Sequence, residues 1–476
     1  MRNNTFRHGK TTFCVFLLLF LSSNAYSQAD SVLIIKRVSP RTPALKLDIP
    51  FLDYPYQRDA RQTTGNFFKG YTNPSMQQSL ALATDLYSSA HFGLQKAVEP
   101  IGNKAVRTIA KVFALFATDF ILSYAPGGDG WLHEEYHRAV LARHHTPSSN
   151  DMNKFPIGAE TVSVSHITDE DLVRFKAESP PDFIRLPIAG IEGQYLLVER
   201  LQRYNFFYKQ NQPHEFQYWL SVLNSILYVK TSSDPKQVDR LTDELNANEP
   251  DVRTRDFTGL DFTAWAYDLF RPTEPYANRG THPLGNGINR YRKTTDLTAE
   301  ELAYLKKQGN LQWLNVLSPM MVGVRRINIS STLSGNIAMQ HWLTSFGNDI
   351  ALKIFLRKES PFKDINAVFT VHNYHNFSHY FPAVEAELVD VALGSTNRSW
   401  LFSPRVLLGL QPYKQQFTTS KSAFLGLLGG RLDVRLHKNM FPYLDFALKS
   451  DGWVGGNEFL GPNFSCRLGL SCRVFD

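Results

Sequence analysis

Phe464-Ser465-Cys466-Arg467-Leu468-Gly469-Leu470-Ser471-Cys472-Arg473-Val474 closes the chain on a two-residue rhythm. Successive side chains of a β-strand point to opposite faces. Phe464, Cys466, Leu468, Leu470, Cys472 and Val474 therefore share one face, and Ser465, Arg467, Gly469, Ser471 and Arg473 the other. Cys466 and Cys472, on one strand, stand roughly 20 Å apart, too far for a disulfide, which needs α-carbons within about 7 Å. The same alternation runs through Ile350/Leu352/Ile354/Leu356, Ile365/Ala367/Phe369/Val371, Leu432/Val434/Leu436 and Leu444/Phe446/Leu448. Residues 321–476 thus read as about eight to ten antiparallel strands separated by turn signals. An apolar face opposite a polar one fits two architectures: a soluble sheet exposed on one side, or a membrane barrel with its apolar face on lipid. The barrel is the expectation, because strand segments near ten residues match the thickness of an outer membrane. The fold class is then α+β, an N-terminal helical domain followed by a C-terminal antiparallel β-barrel.

The other end of the chain supports export. Arg2, Arg7 and Lys10 precede an apolar run from Phe13 to Leu21, followed by Ser22-Ser23-Asn24-Ala25-Tyr26-Ser27. These are the basic, apolar and small-residue regions of a secretory signal peptide, expected over residues 1–27. Its removal lowers the formal charge from +7 to +4, since it carries three cations and no acid. That balance gives no reason to expect nucleic acid as a partner. The penultimate residue is Phe475. Here the C-terminal region resembles bacterial outer-membrane barrels, whose last strand closes on a terminal aromatic. The resemblance implies a seat in the outer membrane of a Gram-negative bacterium, with lipid as a partner; periplasmic or secreted protein is the alternative.

Between the ends, residues 28–74 form an extended lead-in marked by Pro40, Pro43, Pro50 and Pro55. Residues 75–230 carry helical patterning. One helix, over residues 105–124, is hydrophobic nearly all round and is expected to be buried, with membrane association as the other reading. Residues 231–320 are a loop-rich connector with a short helix at 262–270 and a capping box, Thr298-x-x-Glu301.

The stretch that carries chemistry is His133-Glu134-Glu135-Tyr136-His137. Residues four apart lie on one helix face, so His133 and His137 can present two imidazoles to one metal ion. Zinc is the usual metal for such a pair, with Glu134 as general base. The alternative is a solvated helix face with ordinary His–Glu pairing. A third protein ligand is required. Arg143 stands where the metzincin pattern places a third histidine, which excludes that subclass. His144 and His145 read as a C-terminal cap. The expected third ligand is Glu192, flanked by Gly190 and Gly193, which permit close helix approach; Glu199 is the other candidate. On these residues the chain resembles glutamate-ligand zincins, whose third ligand comes from a downstream helix. With Ala189-Gly190-Ile191-Glu192-Gly193-Gln194 it also resembles site-2-protease-like membrane metallopeptidases, whose third ligand is an aspartate. Both imply a bound Zn2+ and a peptide or protein substrate.

A second cluster, His372, His375 and His379, could converge at a hairpin, and His282 sits in a loop able to approach either group. No dinucleotide fingerprint, P-loop or nucleophile elbow occurs, so no nucleotide is expected. The expected function is an exported zinc-dependent metallopeptidase anchored by an outer-membrane barrel. The alternative is a non-enzymatic outer-membrane protein, for transport, binding or structure, with a helical periplasmic or plug domain.

Overall fold

The terminal rhythm forms the strand it predicts. In the computed structural model, which describes residues 42–59, 73–153, 162–208, 210, 212–360, 364–393 and 400–475, Asn463–Val474 is a continuous strand with antiparallel neighbours on both sides. The sheet contains β1 (Leu45–Tyr54), β2 (Ile327–Asn328), β3 (Leu333–Thr344), β4 (Gly347–Lys358), β5 (Ile365–His375), β6 (Tyr380–Val389), β7 (Val391–Leu393), β8 (Trp400–Pro412), β9 (Ser422–Val434), β10 (Met440–Lys449) and β11 (Asn463–Val474). Ten of these strands fall in the expected C-terminal region; β1 comes from the lead-in and pairs with β11 from Leu45↔Val474 to Tyr54↔Cys466. The order is β1-β11-β10-β9-β8-β6-β5-β4-β3-β2, with β7 beside β8. The expected signal peptide lies outside the described residues.

The expected closed barrel is corrected: the antiparallel sheet has eleven strands and two ends, β1 and β2. The physical reason lies in the edge hydrogen bonds. The Asp48 N–H on β1 donates to the Asp85 carboxylate at 2.8 Å, and on β3 the N–H groups of Met339 and His341 donate to Leu317 O at 3.0 Å and Asn315 Oδ1 at 2.8 Å. Each edge is satisfied by something other than the strand that would close a ring.

Nine helices of ten residues or more are described: α1 (Met76–Val98), α2 (Lys104–Ser123), α3 (Asp129–Arg143), α4 (Asp169–Glu178), α5 (Ala189–Phe207), α6 (Glu215–Thr231), α7 (Pro235–Asn248), α8 (Asp261–Phe270) and α9 (Ala299–Leu311). Capping boxes start α1 at Ser75/Gln78 and α9 at Thr298/Glu301. The helix α5 runs along the polar face of the sheet. Its Arg200 pairs with Asp48 on β1 at 3.2 Å, Arg203 with Glu387 on β6, and Glu199 with Lys353 on β4. In a flat sheet β1 and β4 would be seven strand spacings, roughly 34 Å, apart, whereas a helix with its side chains is only about 10–12 Å across. The sheet is therefore wrapped around α5.

Wrapping puts the polar face inside and the apolar face outside, the reverse of a sheet in water. Inside lie buried or half-buried Lys46, Asp48, Lys353, His372, Arg431 and Arg473, while Leu428 is 65% exposed and Leu448 61%. A cavity of about 250 Å³ runs between α5 and the sheet, lined by Arg200, Arg203, His372, Glu385, Arg405 and Arg431 among others. The expectation of a buried helix at 105–124 is also corrected. Of the twenty residues of α2, only Leu115 and Asp119 are buried. Among the described residues no helix is long and apolar enough to cross a membrane. Residues 41–476 cluster as one compact unit, and a single apolar core joins α3, α5 and α8 to Trp342, Tyr374 and Trp453 of the sheet side.

Candidate metal centre

The helix α3 is enclosed on every side. From Trp131 to Ala142 each residue is buried, including His133, Glu134, Glu135, His137 and Arg138. It is therefore not a solvated helix face. The two charges that break the apolar pattern neutralise each other: Arg138 Nη1 donates to both Glu135 carboxylate oxygens at 2.6 and 2.7 Å, and Asn150 Nδ2 donates to Glu135 Oε1 at 2.9 Å. Glu135 is thus occupied on the side of α3 away from the histidines' partners.

The start of α5 presses directly on α3. A Cβ on Gly190 would lie 2.2 Å from His133 Nε2, and one on Gly193 would lie 2.8 Å from the Tyr136 ring. Glycine at these two positions lets the helices approach, as expected. It also decides which α5 residue reaches the histidine. Gln194, one turn after Gly190, lies on the same face and stands 3.2 Å from His133 Nδ1 through its Oε1. Glu192 is two residues from Gly190, about 200° around the helix, and faces away.

Hydrogen bonds fix which nitrogen of each imidazole is free. Gln194 Nε2 donates to Asp129 Oδ2 at 2.8 Å, so its Oε1 is the atom turned to His133 and must accept from Nδ1–H. Ser225 Oγ donates to the same Oε1 at 2.9 Å, and Ser221 Oγ holds Asp129 Oδ1 at 2.6 Å. His137 Nδ1–H donates to the Leu186 carbonyl at 2.6 Å. In the neutral tautomer both rings then offer Nε2, the arrangement typical of metal-ligating histidines.

Both Nε2 atoms face Asp261, the first residue of α8. Asp261 Oδ2 is 3.3 Å from His133 Nε2 and 3.7 Å from His137 Nε2. Ligand atoms of the three residues all lie within 4.8 Å of one another, and all three side chains are buried. Ligands at zinc distances in tetrahedral geometry stand roughly 3.3–3.5 Å apart, and the two aspartate–imidazole separations, 3.3 and 3.7 Å, are close to that range. It is the one such group among the described residues.

The expected third ligand is corrected. Glu192 is saturated by other donors: Arg185 Nη2 at 2.8 Å, the Gly456 N–H at 2.7 Å and Trp453 Nε1 at 3.2 Å. Glu199 pairs with Lys353 and accepts from Gln340 Nε2 at 3.1 Å, inside the cavity along α5. Asp261 lies 128 residues beyond His133, in a turn-rich region that no spacing rule ties to the motif. The only local signal is a carboxylate opening the predicted short helix. The second histidine cluster does not converge. His372 lies inside, with Nδ1 2.7 Å from Asp349, while His375 has the opposite strand parity and packs at a tilt against Tyr380. His379 contacts Ser378 at the hairpin. His144 caps α3 and pairs with Asp182 at 3.0 Å, and His282 is buried in its own loop, where its Nδ1 accepts from the Leu284 N–H.

Burial and charge set the titration of the group. Burial lowers His133, but the Asp261 hydrogen bond, Glu134 and Gln194 outweigh it and raise the ring to about 9. Burial lowers His137 to about 4, against Asp261. Burial raises Glu134 to about 8, with Asp261, Asp256 and Asp151 adding to it and His133 opposing. His133 therefore carries a proton at neutral pH that a metal must displace. Zinc affinity is expected to rise about tenfold per pH unit between about pH 6 and pH 8 as one proton leaves per ion bound. Competition against a chromophoric chelator at several pH values measures the slope; a flat profile would remove His133 from the ligand set.

The cavity along α5 is not part of this group: none of His133, Glu134, His137 and Asp261 lines it. Compared with known proteins, the chain matches no family model, no curated protein and no solved structure.

Proposed function

We propose that the protein is a membrane-seated, zinc-dependent hydrolase acting on peptide bonds, with His133, His137 and Asp261 holding the ion. The observation that carries this reading is the convergence of two Nε2 atoms and one carboxylate, with both Nδ1–H groups already engaged. Zinc bound by three protein ligands supplies Lewis-acid polarisation and acidifies a water toward neutrality. Glu134 is the residue that holds and returns the proton. It adjoins the first ligand, and burial keeps its carboxyl at about 8, a range suited to general acid–base work near neutral pH. Asp129 and Gln194 orient His133, and the Leu186 carbonyl orients His137.

The membrane part of the proposal rests on the inverted polarity of the wrapped sheet. Exposed Phe424, Leu428, Leu448 and Phe464 on its outer face, over ion pairs on its inner face, suit lipid outside. The expected signal peptide points to the outer membrane.

A specific observation favours a second reading. All ligands are buried and the cavity lies elsewhere, which suits an ion held for structure in a non-enzymatic membrane protein. Glu134→Gln separates the two. The hydrolase reading expects stoichiometric zinc to be retained and cleavage of a fluorogenic peptide mixture to fall by about 10²–10⁴-fold. Unchanged cleavage with full zinc removes Glu134 from catalysis.

A further inference from the structure

Helix α2 has an outer face that is largely exposed among the described residues. Its apolar residues from Val106 to Ile121 spread over about 180° of the helix at 100° per residue, with Ile109 at 70% and Phe113 at 73% exposure. The opposite side holds the polar contacts: Asp119 Oδ1 pairs with His91 Nε2 of α1 at 2.6 Å and Lys111 reaches Gln95 at 3.5 Å; Phe116, half exposed, also packs on Phe216 of α6 at 4.6 Å between ring centroids. Seven large apolar side chains half or more exposed on one helix form a patch that a water-facing surface does not sustain.

The position of α2 says what covers it. An open sheet edge does not survive in lipid, and this sheet has two ends. At one, α1 runs antiparallel to β1, beginning at Ser75 beside Asp53 and passing Asp48 through Asp85. At the other, α6 holds the segment that leads into β2 and β3: Trp219 Nε1 donates to Met321 O at 3.0 Å, and Glu215 pairs with Arg325 at 3.3 Å. Helices α1 and α6 thus lie between the sheet's two ends, and α2 lies over both. Its length, roughly 30 Å at 1.5 Å per residue, equals the hydrocarbon thickness of a bilayer, about 30 Å. Its inner polar residues explain why it does not qualify as a free-standing span.

We propose that α2 is the lipid-facing wall that closes the seam of the wrapped sheet, so that a ring of strands and helices together seats the protein in a bilayer. This rests on the membrane reading of the sheet. In this arrangement α2 extends the row of exposed apolar side chains that runs from Ile49 and Phe51 on β1 through Leu468 on β11 to Leu448 and Leu428 on β10 and β9, and Asp119–His91 pins the wall to the strand-side helix. The occupant is bilayer hydrocarbon, because a face that continues around an entire sheet is covered by a solvent rather than by one partner chain.

Site-directed spin labels test it in the full chain reconstituted in phosphatidylethanolamine/phosphatidylglycerol vesicles. The background replaces Cys14, Cys466 and Cys472 with serine, and single labels sit at Ile109→Cys, Phe113→Cys and Phe120→Cys on α2, Leu428→Cys and Leu448→Cys on the sheet, and exposed Glu170→Cys as the water reference. The expected result is that oxygen relaxes the α2 and sheet labels more than a water-soluble nickel complex does, the reverse of the order at Glu170→Cys. Sheet labels in lipid with α2 labels open to nickel overturn the wall alone. Nickel access at the sheet labels as well overturns the membrane reading beneath it. Exclusion of both relaxants at α2 means that protein covers it, which also overturns the proposal.

Discussion

Asp261→Ala is expected to abolish stoichiometric zinc binding by the purified protein, and Glu192→Ala is expected to leave it intact. Asp261 Oδ2 is the only carboxylate oxygen grouped with the Nε2 atoms of His133 and His137 among the described residues. Structural zinc sites bind with roughly 10–16 kcal/mol, so losing one of three protein ligands costs about 3–5 kcal/mol, or roughly 10²–10⁴-fold in affinity. The loss exceeds that expected for an outer-shell partner such as Gln194, about 10–100-fold. Metal analysis after dialysis, followed by chelator competition, measures both. An Asp261→Ala protein that keeps its zinc at unchanged affinity would show that the aspartate only pairs with His133.

Glu192→Ala is expected to act on the fold instead, lowering stability by about 3–5 kcal/mol, the usual result of breaking a buried ion pair from one side. The side chains of Arg185 and Glu192 are 0% and 2% exposed. Removing the carboxylate leaves the Arg185 charge uncompensated and strips acceptors from the Gly456 N–H and Trp453 Nε1. These donors lie in the β10–β11 connection, so the pair ties the first turn of α5 to the sheet. Replacing both partners with leucine should recover much of the loss, because two apolar groups leave no buried charge behind. Thermal or denaturant unfolding in detergent checks the three variants. A Glu192→Ala protein as stable as the parent would mean that Arg185 is satisfied by its other acceptors, the Asn457 carbonyl and the Met76 sulfur.

Much of the secondary structure was legible, because its causes are local. Alternation along 463–474 sets which residues share a face, and the Thr298/Glu301 box satisfies its own helix end. The short helix at 262–270 appears with Asp261 as its first residue. The reading of 105–124 went wrong because a nearly all-apolar helix suits either a protein core or lipid; composition cannot tell which medium lies outside. The closed barrel went wrong because the lead-in carries a ninth long strand, and α1 and the 312–326 segment take the edge groups that closure would have used.

The sequence by itself determined the pair of imidazoles. Four residues of one helix place His133 and His137 on one side whatever the rest of the chain does, and the glycines at 190 and 193 announce a close helix approach. The tertiary structure alone decided the third ligand, since Asp261 arrives from 128 residues away and Glu192 is turned aside by the 200° that separates it from Gly190. It alone decided the polarity of the sheet, too. The terminal rhythm Phe464 to Val474 divides the side chains into two faces, but only wrapping around Arg200 and Arg203 of α5 directs the charged face inward. An ion pair made across the fold is a property of the folded chain, and no local pattern encodes its partner.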